Sequence, residues 1–576
     1  MTKSRCPTTQ RGSRLVIGLL GIPWALVIGH WSFDANAAAP TLDHFFPVAV
    51  QLGTTNTVTA IGKFDPWPAK VWADAPGLAF KPETNSGKFS IEVATNTPIG
   101  PHLVRVYNEQ GASGPRFLIV AREPQLAELE PNDEFKKPQV IEHLPASING
   151  RLDKSGDVDS FAVELQTGQT LMASVEAFTL ASPVDAVLRV VDARGVQVAI
   201  NHDGSTLDPF LVWSAKSAGT YVVQVFGFSY PADSDVKFTG RNNCVYRLHL
   251  SRGPCLRHTL PIGVQRGVRT SLQVAGWNLR QHDGLSFDGT DLPADATQTT
   301  LQVPGFDNTI LLPVGEGPES MEHEPNGVAA EANRLEVPGA VTGYIETAGD
   351  EDRFSFTAKK GGKFLLEVQS AGLGFPLDAW LRIENLEGKE LAKNDDNGNA
   401  DPKLEWTASE DGAFVAAVGN VLHRGSAEHL YRLAIRRAVP AVTINASETA
   451  FTITAGNSNE IKVAIKPLHG FQQKLKVAVR GLPDGLLAEP ADVPDKGGDV
   501  TLKLMASPEA DPFSGPIQII ATEVESQKEH RAVADLTSST VNNGVPGGFN
   551  KLVIESTDQL WLTVLPVPVI RTETRK

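Results

Sequence analysis

Polar and apolar residues alternate with a period of two over short stretches of this chain. Phe354 and Phe356 alternate with polar neighbours, and the alternation resumes over residues 364–368 after a glycine-containing turn at 359–362. A period of two places successive side chains on opposite faces of a strand. The pattern therefore predicts a β-hairpin with one buried face.

The last part of the chain has the same alternation. It runs through residues 461–465 and 475–479, and glycine-containing turns lie at 482–485 and 496–498. Long amphipathic helices are hard to find, and the apolar runs are short and rich in Val, Ile, Leu and Phe. We therefore predict an all-β protein of tandem β-sandwich domains, with one antiparallel sandwich after Pro440.

Two repeats organise the chain. Residues 157–225 match residues 350–418 at a constant offset of 193 without a gap, and the identical pairs include Asp157/Asp350, Asp159/Asp352, Phe161/Phe354, Gly168/Gly361, Asp185/Asp378, Trp213/Trp406 and Gly219/Gly412. A shorter repeat carries His44, Pro47, Val50, Gln51, Gly53 and Gly62 onto His258, Pro261, Val264, Gln265, Gly267 and Gly276. Similarity at such long periods indicates duplicated domains.

The repeats and the length together predict several domains. At 576 residues the chain exceeds the roughly 250–300 residues that a single hydrophobic core serves. The predicted units are a signal peptide at 1–37, an immunoglobulin-like domain at 38–123, a longer sandwich at 124–253, a short immunoglobulin-like β domain at 254–318, a second longer sandwich at 319–438 and a C-terminal immunoglobulin-like sandwich at 439–576.

The first residues have the pattern of an export signal. Four basic residues within the first 14 precede an apolar run at 15–29 and small residues at 35–37, where we expect cleavage. An uncleaved anchor is the alternative, although the run is shorter than the ~20 residues that span a bilayer. We expect a periplasmic, cell-surface or extracellular protein without a later transmembrane segment.

Charge and cysteine content narrow the classes of function. The formal net charge is −15, so no basic stripe is available to bind a nucleic acid. Acidity favours solubility in general and calcium binding where the acids are grouped. Cys244 and Cys255 lie close together along an extended segment, and a disulfide there would need a sharp reversal of the chain, so we favour free thiols.

Two segments resemble the bacterial pre-peptidase C-terminal (PPC) domain. The matching residues are Glu130-Pro131-Asn132-Asp133, GDVDSF at 156–161 and the strand from Gly219 in copy one, and Glu324-Pro325-Asn326, GDEDRF at 349–354 and the strand from Gly412 in copy two. The resemblance implies jelly-roll-like sandwiches on a secreted protein, often beside a protease. The shorter units before each copy resemble immunoglobulin-like domains of the IPT/TIG type, through Pro47 and Pro261.

Oxygen-bearing side chains are concentrated in these motifs. The candidate ligands are Glu128, Glu130, Asn132, Asp133, Asp157 and Asp159 in copy one, and Glu322, Glu324, Asn326, Asp350 and Asp352 in copy two. Carboxylates that meet in a partly dry site repel one another unless a cation such as Ca²⁺ neutralises them. Gly327 replaces the acid at Asp133, so we expect a weaker site in copy two. The alternative is that the segments never meet and the acids cap turns in solvent.

No catalytic motif is present. The sequence lacks a Gly-x-Ser-x-Gly elbow, a His-Glu-x-x-His pair and a phosphate-binding glycine loop. We expect a non-enzymatic, calcium-stabilised binding, adhesion or scaffold protein whose partner is a protein or polysaccharide of the envelope or matrix. The alternatives are an accessory subunit of a secreted hydrolase, and a hydrolase with an unrecognised active site. Aromatic residues after Val225 suit recognition, but packing against their own domain is the simpler interpretation.

Overall fold

The computed structural model describes residues 38–204, 206–229, 237–279, 284–395, 401–539 and 551–567. The predicted signal peptide lies outside these residues. The regular structure of the described part is β-strand, apart from short 3-10 helices at Phe178–Leu180, Ala329–Glu331 and Ala371–Leu373. The chain is therefore all-β, as predicted. Within the same residues, no helix has the length and apolar character that crossing a membrane requires.

The first sandwich contains strands β1 (Thr41–Phe46), β2 (Ala49–Gln51), β3 (Thr55–Lys63), β4 (Lys70–Ala73), β5 (Leu78–Pro82), β6 (Lys88–Val93), β7 (Gly100–Asn108), β8 (Gly111–Ala112) and β9 (Arg116–Ala121). One sheet has the order β1-β3-β6-β5, and the other has the order β2-β9-β7-β4 with β8 paired to β7. Phe45, Phe89 and Leu118 are fully buried between the sheets.

Copy one of the longer sandwich contains strands β10 (Gln125–Ala127), β11 (Gln139–Val140), β12 (Ala146–Arg151), β13 (Asp159–Leu165), β14 (Thr170–Glu176), β15 (Val184–Val191), β16 (Gln197–Asn201), β17 (Phe210–Ser214), β18 (Gly219–Ser229) and β19 (Val245–Ser251). The sheet orders are β10-β12-β19-β14-β17 and β11-β13-β18-β15-β16. Each sheet turns a row of apolar side chains inward, including Phe161, Val163 and Leu165 of β13.

The next, shorter sandwich contains strands β20 (Cys255–Leu260), β21 (Val264–Gln265), β22 (Arg269–Trp277), β23 (Leu285–Asp288), β24 (Gln298–Gln302) and β25 (Thr309–Gly315). They form two small sheets with the orders β20-β22-β23 and β21-β25-β24. Its buried core is correspondingly small and is built around Leu256, Leu272 and Leu312.

Copy two of the longer sandwich contains strands β26 (Glu319–Met321), β27 (Asn333–Arg334), β28 (Gly339–Tyr344), β29 (Glu351–Ala358), β30 (Lys363–Gln369), β31 (Ala379–Glu384), β32 (Glu390–Asn394), β33 (Lys403–Thr407), β34 (Gly412–Asn420) and β35 (Leu430–Arg437). The sheet orders are β26-β28-β35-β30-β33 and β27-β29-β34-β31-β32, the same arrangement as in copy one. The duplication seen in the sequence is thus a duplication of topology.

The last sandwich contains strands β36 (Ala441–Ala446), β37 (Ala450–Thr454), β38 (Ser458–Leu468), β39 (Leu475–Arg480), β40 (Leu486–Ala488), β41 (Ala491–Asp492), β42 (Gly498–Ala506), β43 (Phe513–Glu523), β44 (Glu529–Arg531), β45 (Ala534–Ser539), β46 (Lys551–Thr557) and β47 (Leu560–Leu565). One sheet has the order β36-β38-β42-β40, and the other has β37-β47-β43-β39-β41 with β44 paired to β43. Strands β45 and β46 pair with each other as a hairpin.

Each shorter sandwich is joined to the copy that follows it in the same way. The side chain of Asn149 accepts a hydrogen bond from the backbone N–H of Ala49 at 2.9 Å. At the equivalent place in the second pair, the hydroxyl of Thr342 accepts one from the N–H of Ile262, also at 2.9 Å. Buried polar bonds of this kind fix the relative position of the two partners, because breaking them would leave unpaired groups in an apolar junction.

The last sandwich contacts the first. Arg105 of β7 is fully buried and donates hydrogen bonds to the carbonyl oxygens of Thr449 at 3.0 Å and Gln559 at 2.9 Å. The indole ring of Trp561 lies edge-on to that of Trp72, with ring centres 5.9 Å apart. The ends of the described chain therefore meet through a buried cation and an aromatic pair.

Candidate cation site

Residues 128–133, which we call the acidic segment, follow strand β10 of copy one. Strand β10 pairs in parallel with β12, and β12 pairs with β19 so that Gly150 lies opposite Tyr246. A Cβ atom at Gly150 would lie 2.2 Å from the ring of Tyr246. The glycine therefore leaves room for the tyrosine ring to cross the strand, and the phenol oxygen reaches the acidic segment and the start of β13.

Three carboxylates meet at this point, and we call them the inner group. Glu128, Glu130 and Asp159 each contribute an oxygen, and these oxygens lie within 4.8 Å of one another. The hydroxyl of Tyr246 donates a hydrogen bond to Oδ2 of Asp159 at 2.6 Å and lies 3.4 Å from Oε2 of Glu128. Asp159 is fully buried, so its charge has little water to screen it from its neighbours.

A second set of acids shares Glu130 with the first, and we call it the outer group. Oxygens of Glu130, Asp133 and Asp157 also lie within 4.8 Å of one another. Asp157 is fully buried in the turn before β13, and its Oδ2 accepts a hydrogen bond from the N–H of Asp153 at 2.5 Å. The ammonium of Lys154 lies 2.8 Å from Oδ2 of Asp133 and 3.5 Å from Oδ1 of Asp157.

Several oxygens around these groups are buried without a hydrogen-bond partner among the described residues. They are Oδ1 of Asn132, Asp157 and Asp159. Asn132 is 1% exposed, and its amide nitrogen is unpartnered as well. An unsatisfied buried polar atom costs about 1–3 kcal/mol. A hard cation held by these oxygens would remove that cost, and an all-oxygen donor set is the one that Ca²⁺ prefers.

The pKa values of the acids in copy one also indicate that a bound cation would stabilise this group. Burial raises the pKa of Glu128 to about 8 and that of Asp157 to about 6. Burial, together with the nearby charge of Glu128, raises the pKa of Asp159 well above its usual range. Each of these shifts means that the folded protein holds the ionised acid at a cost, which a bound divalent cation would offset.

Copy two reproduces the inner group. Oxygens of Glu322, Glu324 and Asp352 lie within 4.8 Å of one another, and the hydroxyl of Tyr431 donates to Oδ2 of Asp352 at 2.5 Å. Burial raises the pKa of Asp352 to about 9 and that of Glu322 to about 7. Asn326 is fully buried, and its Oδ1 has no hydrogen-bond partner among the described residues.

The outer group has no counterpart among the described residues of copy two. Asp350 is the equivalent of Asp157, and its Oδ2 accepts a hydrogen bond from the N–H of Glu346 at 3.0 Å. Gly327 stands where copy one has Asp133, and its carbonyl oxygen accepts a hydrogen bond from Arg353. Asp350 therefore accepts a hydrogen bond within its own turn, whereas the other predicted acids of copy two, Glu322, Glu324 and Asp352, converge on the inner group.

Some functional residues were not apparent from the sequence. Tyr246 and Tyr431 hold the buried aspartates, and Lys154 pairs with the outer group. Both tyrosines stand in the same tripeptide, Tyr-Arg-Leu, but this lies beyond the ungapped repeat because the loop before it is longer in copy one. That shared tripeptide was the available signal for the tyrosines.

Another group of possible ligands consists of Asp185, His202 and Asp203. The two ring nitrogens of His202 lie 3.3 Å from Asp185 and 3.2 Å from Asp203. His202 and Asp203 are about half exposed, whereas Oδ1 of Asp185 is buried without a hydrogen-bond partner among the described residues. Two of the three side chains are therefore open to water, unlike Asp159 of the inner group, and exposed charges of this kind interact weakly.

Other expectations can be compared with the structure. Cys244 and Cys255 are buried free thiols, as favoured. In the stretch after Val225, the ring of Phe238 packs against the ring of Phe226 in the same domain, with the ring centres 4.6 Å apart. The described part of this loop therefore folds against its own sandwich, and Tyr230 lies outside the described residues.

No known family profile matches the chain. A probable subtilase-type serine protease of Deinococcus radiodurans is 32% identical over 102 residues, which are 17% of this chain and 14% of that protein. The chain thus matches a small part of the length of this curated relative.

Among solved structures, the N-terminal eight immunoglobulin domains of Down Syndrome Cell Adhesion Molecule isoform 1.30.30 align with 86% of this chain and 72% of that chain, at 11% identity and a TM-score of 0.12. A likeness with so low a TM-score carries no argument about fold or function. The chain's own sheets show a tandem array of β-sandwiches.

Proposed function

We propose that this chain is an exported, non-catalytic scaffold or adhesion protein whose two PPC-like copies are stabilised by Ca²⁺. The ion binds at the inner group of each copy. Its partner is a protein or polysaccharide of the cell envelope or matrix. The sandwiches supply rigid surfaces, and the ion fixes the acidic segment that enters each longer sandwich.

The observation that carries the proposal is the inner group itself. Glu128, Glu130 and Asp159 come from two separate segments and meet beside buried oxygens that lack partners. The same constellation recurs in copy two, with its own tyrosine. Solvated acids that merely cap turns would not need to converge twice around a buried aspartate.

The test is calcium binding by the compact unit that begins at residue 38. Titration calorimetry of chelator-treated protein should show binding, and magnesium should compete poorly because it demands a tighter octahedral site. Binding to cell-wall polysaccharide and matrix proteins should then be measured with and without calcium. Absence of calcium binding at millimolar concentration would refute the ion, and turnover on protease and glycosidase substrate panels would refute the non-catalytic assignment.

A second function is favoured by one observation. The protein that shares 32% identity over 102 residues is named as a probable subtilase-type serine protease. A chain with a related segment could present or position a secreted protease. Affinity purification from the envelope fraction separates the two functions, because a co-purifying hydrolase supports the accessory function and binding to polysaccharide or matrix alone supports adhesion.

A further inference from the structure

We propose that the ammonium of Lys154 occupies the outer group of copy one in place of a metal ion. Copy one would then bind one divalent ion, at the inner group, although its acids could hold two. This inference rests on the proposed calcium binding and adds to it the number of ions and the residue that sets that number.

The position of Lys154 carries the first step. Its Nζ lies 3.0 Å and 2.8 Å from the two oxygens of Asp133 and 3.5 Å from Oδ1 of Asp157. The ammonium therefore sits against the acids that would bind an outer ion. An exposed lysine–aspartate pair alone contributes little to stability. Lys154, however, also faces Asp157, which is fully buried and whose Oδ1 makes no hydrogen bond to a described residue.

Copy two supplies an internal comparison. Thr347 occupies the position equivalent to Lys154, and Gly327 occupies that of Asp133. The outer acid and the lysine are thus absent together. In the same place, Arg353 donates a hydrogen bond to the carbonyl oxygen of Gly327. A lysine is found where the outer group exists and is missing where it does not, as expected if its role is to neutralise that group.

The sharing of Glu130 between the groups has a consequence for the inner ion. A positive charge at Lys154 lies close to a carboxylate that the inner ion would use, so it repels that ion. Removing the ammonium should therefore tighten binding of the first calcium ion by about tenfold and open a place for another.

The experiment counts ions bound to the unit that begins at residue 38. Wild type, Lys154→Met and Lys137→Met are dialysed to equilibrium against calcium chloride, and bound metal is measured by mass spectrometry. Lys137 is the matched control because its side chain is 76% exposed and pairs with Glu134, outside both groups. We expect Lys154→Met to bind one ion more than wild type and Lys137→Met to bind the same number.

Two further variants complete the test. Lys154→Arg should keep the wild-type count, and Asp133→Asn combined with Lys154→Met should return to it. If wild type binds calcium and Lys154→Met binds the same number with unchanged affinity, the role of Lys154 is refuted and the proposed function stands. If neither protein binds calcium, the proposed function fails and this inference fails with it.

Discussion

Replacing Asp159 by asparagine should change stability in opposite directions with and without calcium. Asp159 is fully buried beside Glu128, and its pKa is raised well above the usual range by burial and by that neighbour. Asparagine has nearly the same shape and can still accept the hydrogen bond from Tyr246. The substitution therefore removes a buried charge while the packing is kept.

The repeat-equivalent Asp352 lies in the same kind of environment, and burial raises its pKa from 3.8 to about 9. The pKa of Asp159 is shifted in the same direction, so the folded protein holds its ionised carboxyl group at a cost in free energy. Asp159→Asn removes that charge and should stabilise the calcium-free protein by about 2 kcal/mol, the order of the cost of one unsatisfied buried polar group.

Calcium should act in the other direction. With a dissociation constant of about 10⁻⁴ M, as in extracellular modules, 1 mM calcium stabilises the wild type by about 1.4 kcal/mol. Asp159→Asn keeps an oxygen at this position but removes its negative charge, so copy one should lose most of that gain. At about 4 °C per kcal/mol for a sandwich of this size, the unfolding transition of copy one moves about 8 °C above wild type in chelator. Its calcium-dependent rise of about 6 °C is lost, whereas the transition of copy two keeps its own rise.

The assay is differential scanning calorimetry at pH 7 in chelator and in 1 mM calcium. Glu134→Gln is the control, because Glu134 is 64% exposed and belongs to neither group, and it should leave both melting temperatures unchanged. If the copy-one transition of Asp159→Asn lies below that of wild type in chelator, or keeps its calcium-dependent rise, the electrostatic reasoning is refuted.

Further outcomes follow from the same geometry. Because raised carboxyl pKa values make the folded state bind more protons than the unfolded state, the calcium-free melting temperature should fall from pH 5 to pH 9, and calcium should reduce the fall. Tyr246→Phe removes the donor to a buried acid and should cost about 1–2 kcal/mol in urea unfolding. Gly150→Ala forces a methyl against that ring and should cost about 1–3 kcal/mol in the same assay. Arg105→Ala leaves the carbonyl oxygens of Thr449 and Gln559 without their donor and should speed hydrogen exchange of the last sandwich.

Period-two alternation predicted the strands because burial on one face of a sheet is a local property of the sequence. Phe354, Phe356 and Phe364 are buried in β29 and β30, as the alternation predicted. The predicted hairpin is wrong, however, because β29 pairs with β34 and β30 pairs with β33 and β35, so the two strands lie in opposite sheets and face each other across the core. The ungapped repeat at an offset of 193 residues predicts that both copies have the same sheet order. Strands and turns that are equally spaced in two segments can pair in the same way, and the two copies do so.

The site was only partly predictable because its contacts are distant in sequence. Tyr246 lies 87 residues from Asp159, and its place is fixed by the pairing of β12 with β19. The GDxD motif is the same in both copies, yet Asp157 meets other acids, whereas Asp350 accepts a hydrogen bond within its own turn. The difference arises at Gly327, which stands where copy one has Asp133. The spacing of residues along the sequence does not show that this position lies beside the turn.

The contact between the first and last sandwiches decides how the molecule would carry mechanical load. A pull applied between the two ends of the described chain takes the shortest path, which runs through the bonds of Arg105 and the ring of Trp561. Copy one shares this junction, because its Leu180 and Val245 lie in one apolar cluster with Phe117 of the first sandwich and Leu536 of the last. Under force, the first event is the separation of this junction, and the chain between the two outer sandwiches is extended only afterwards.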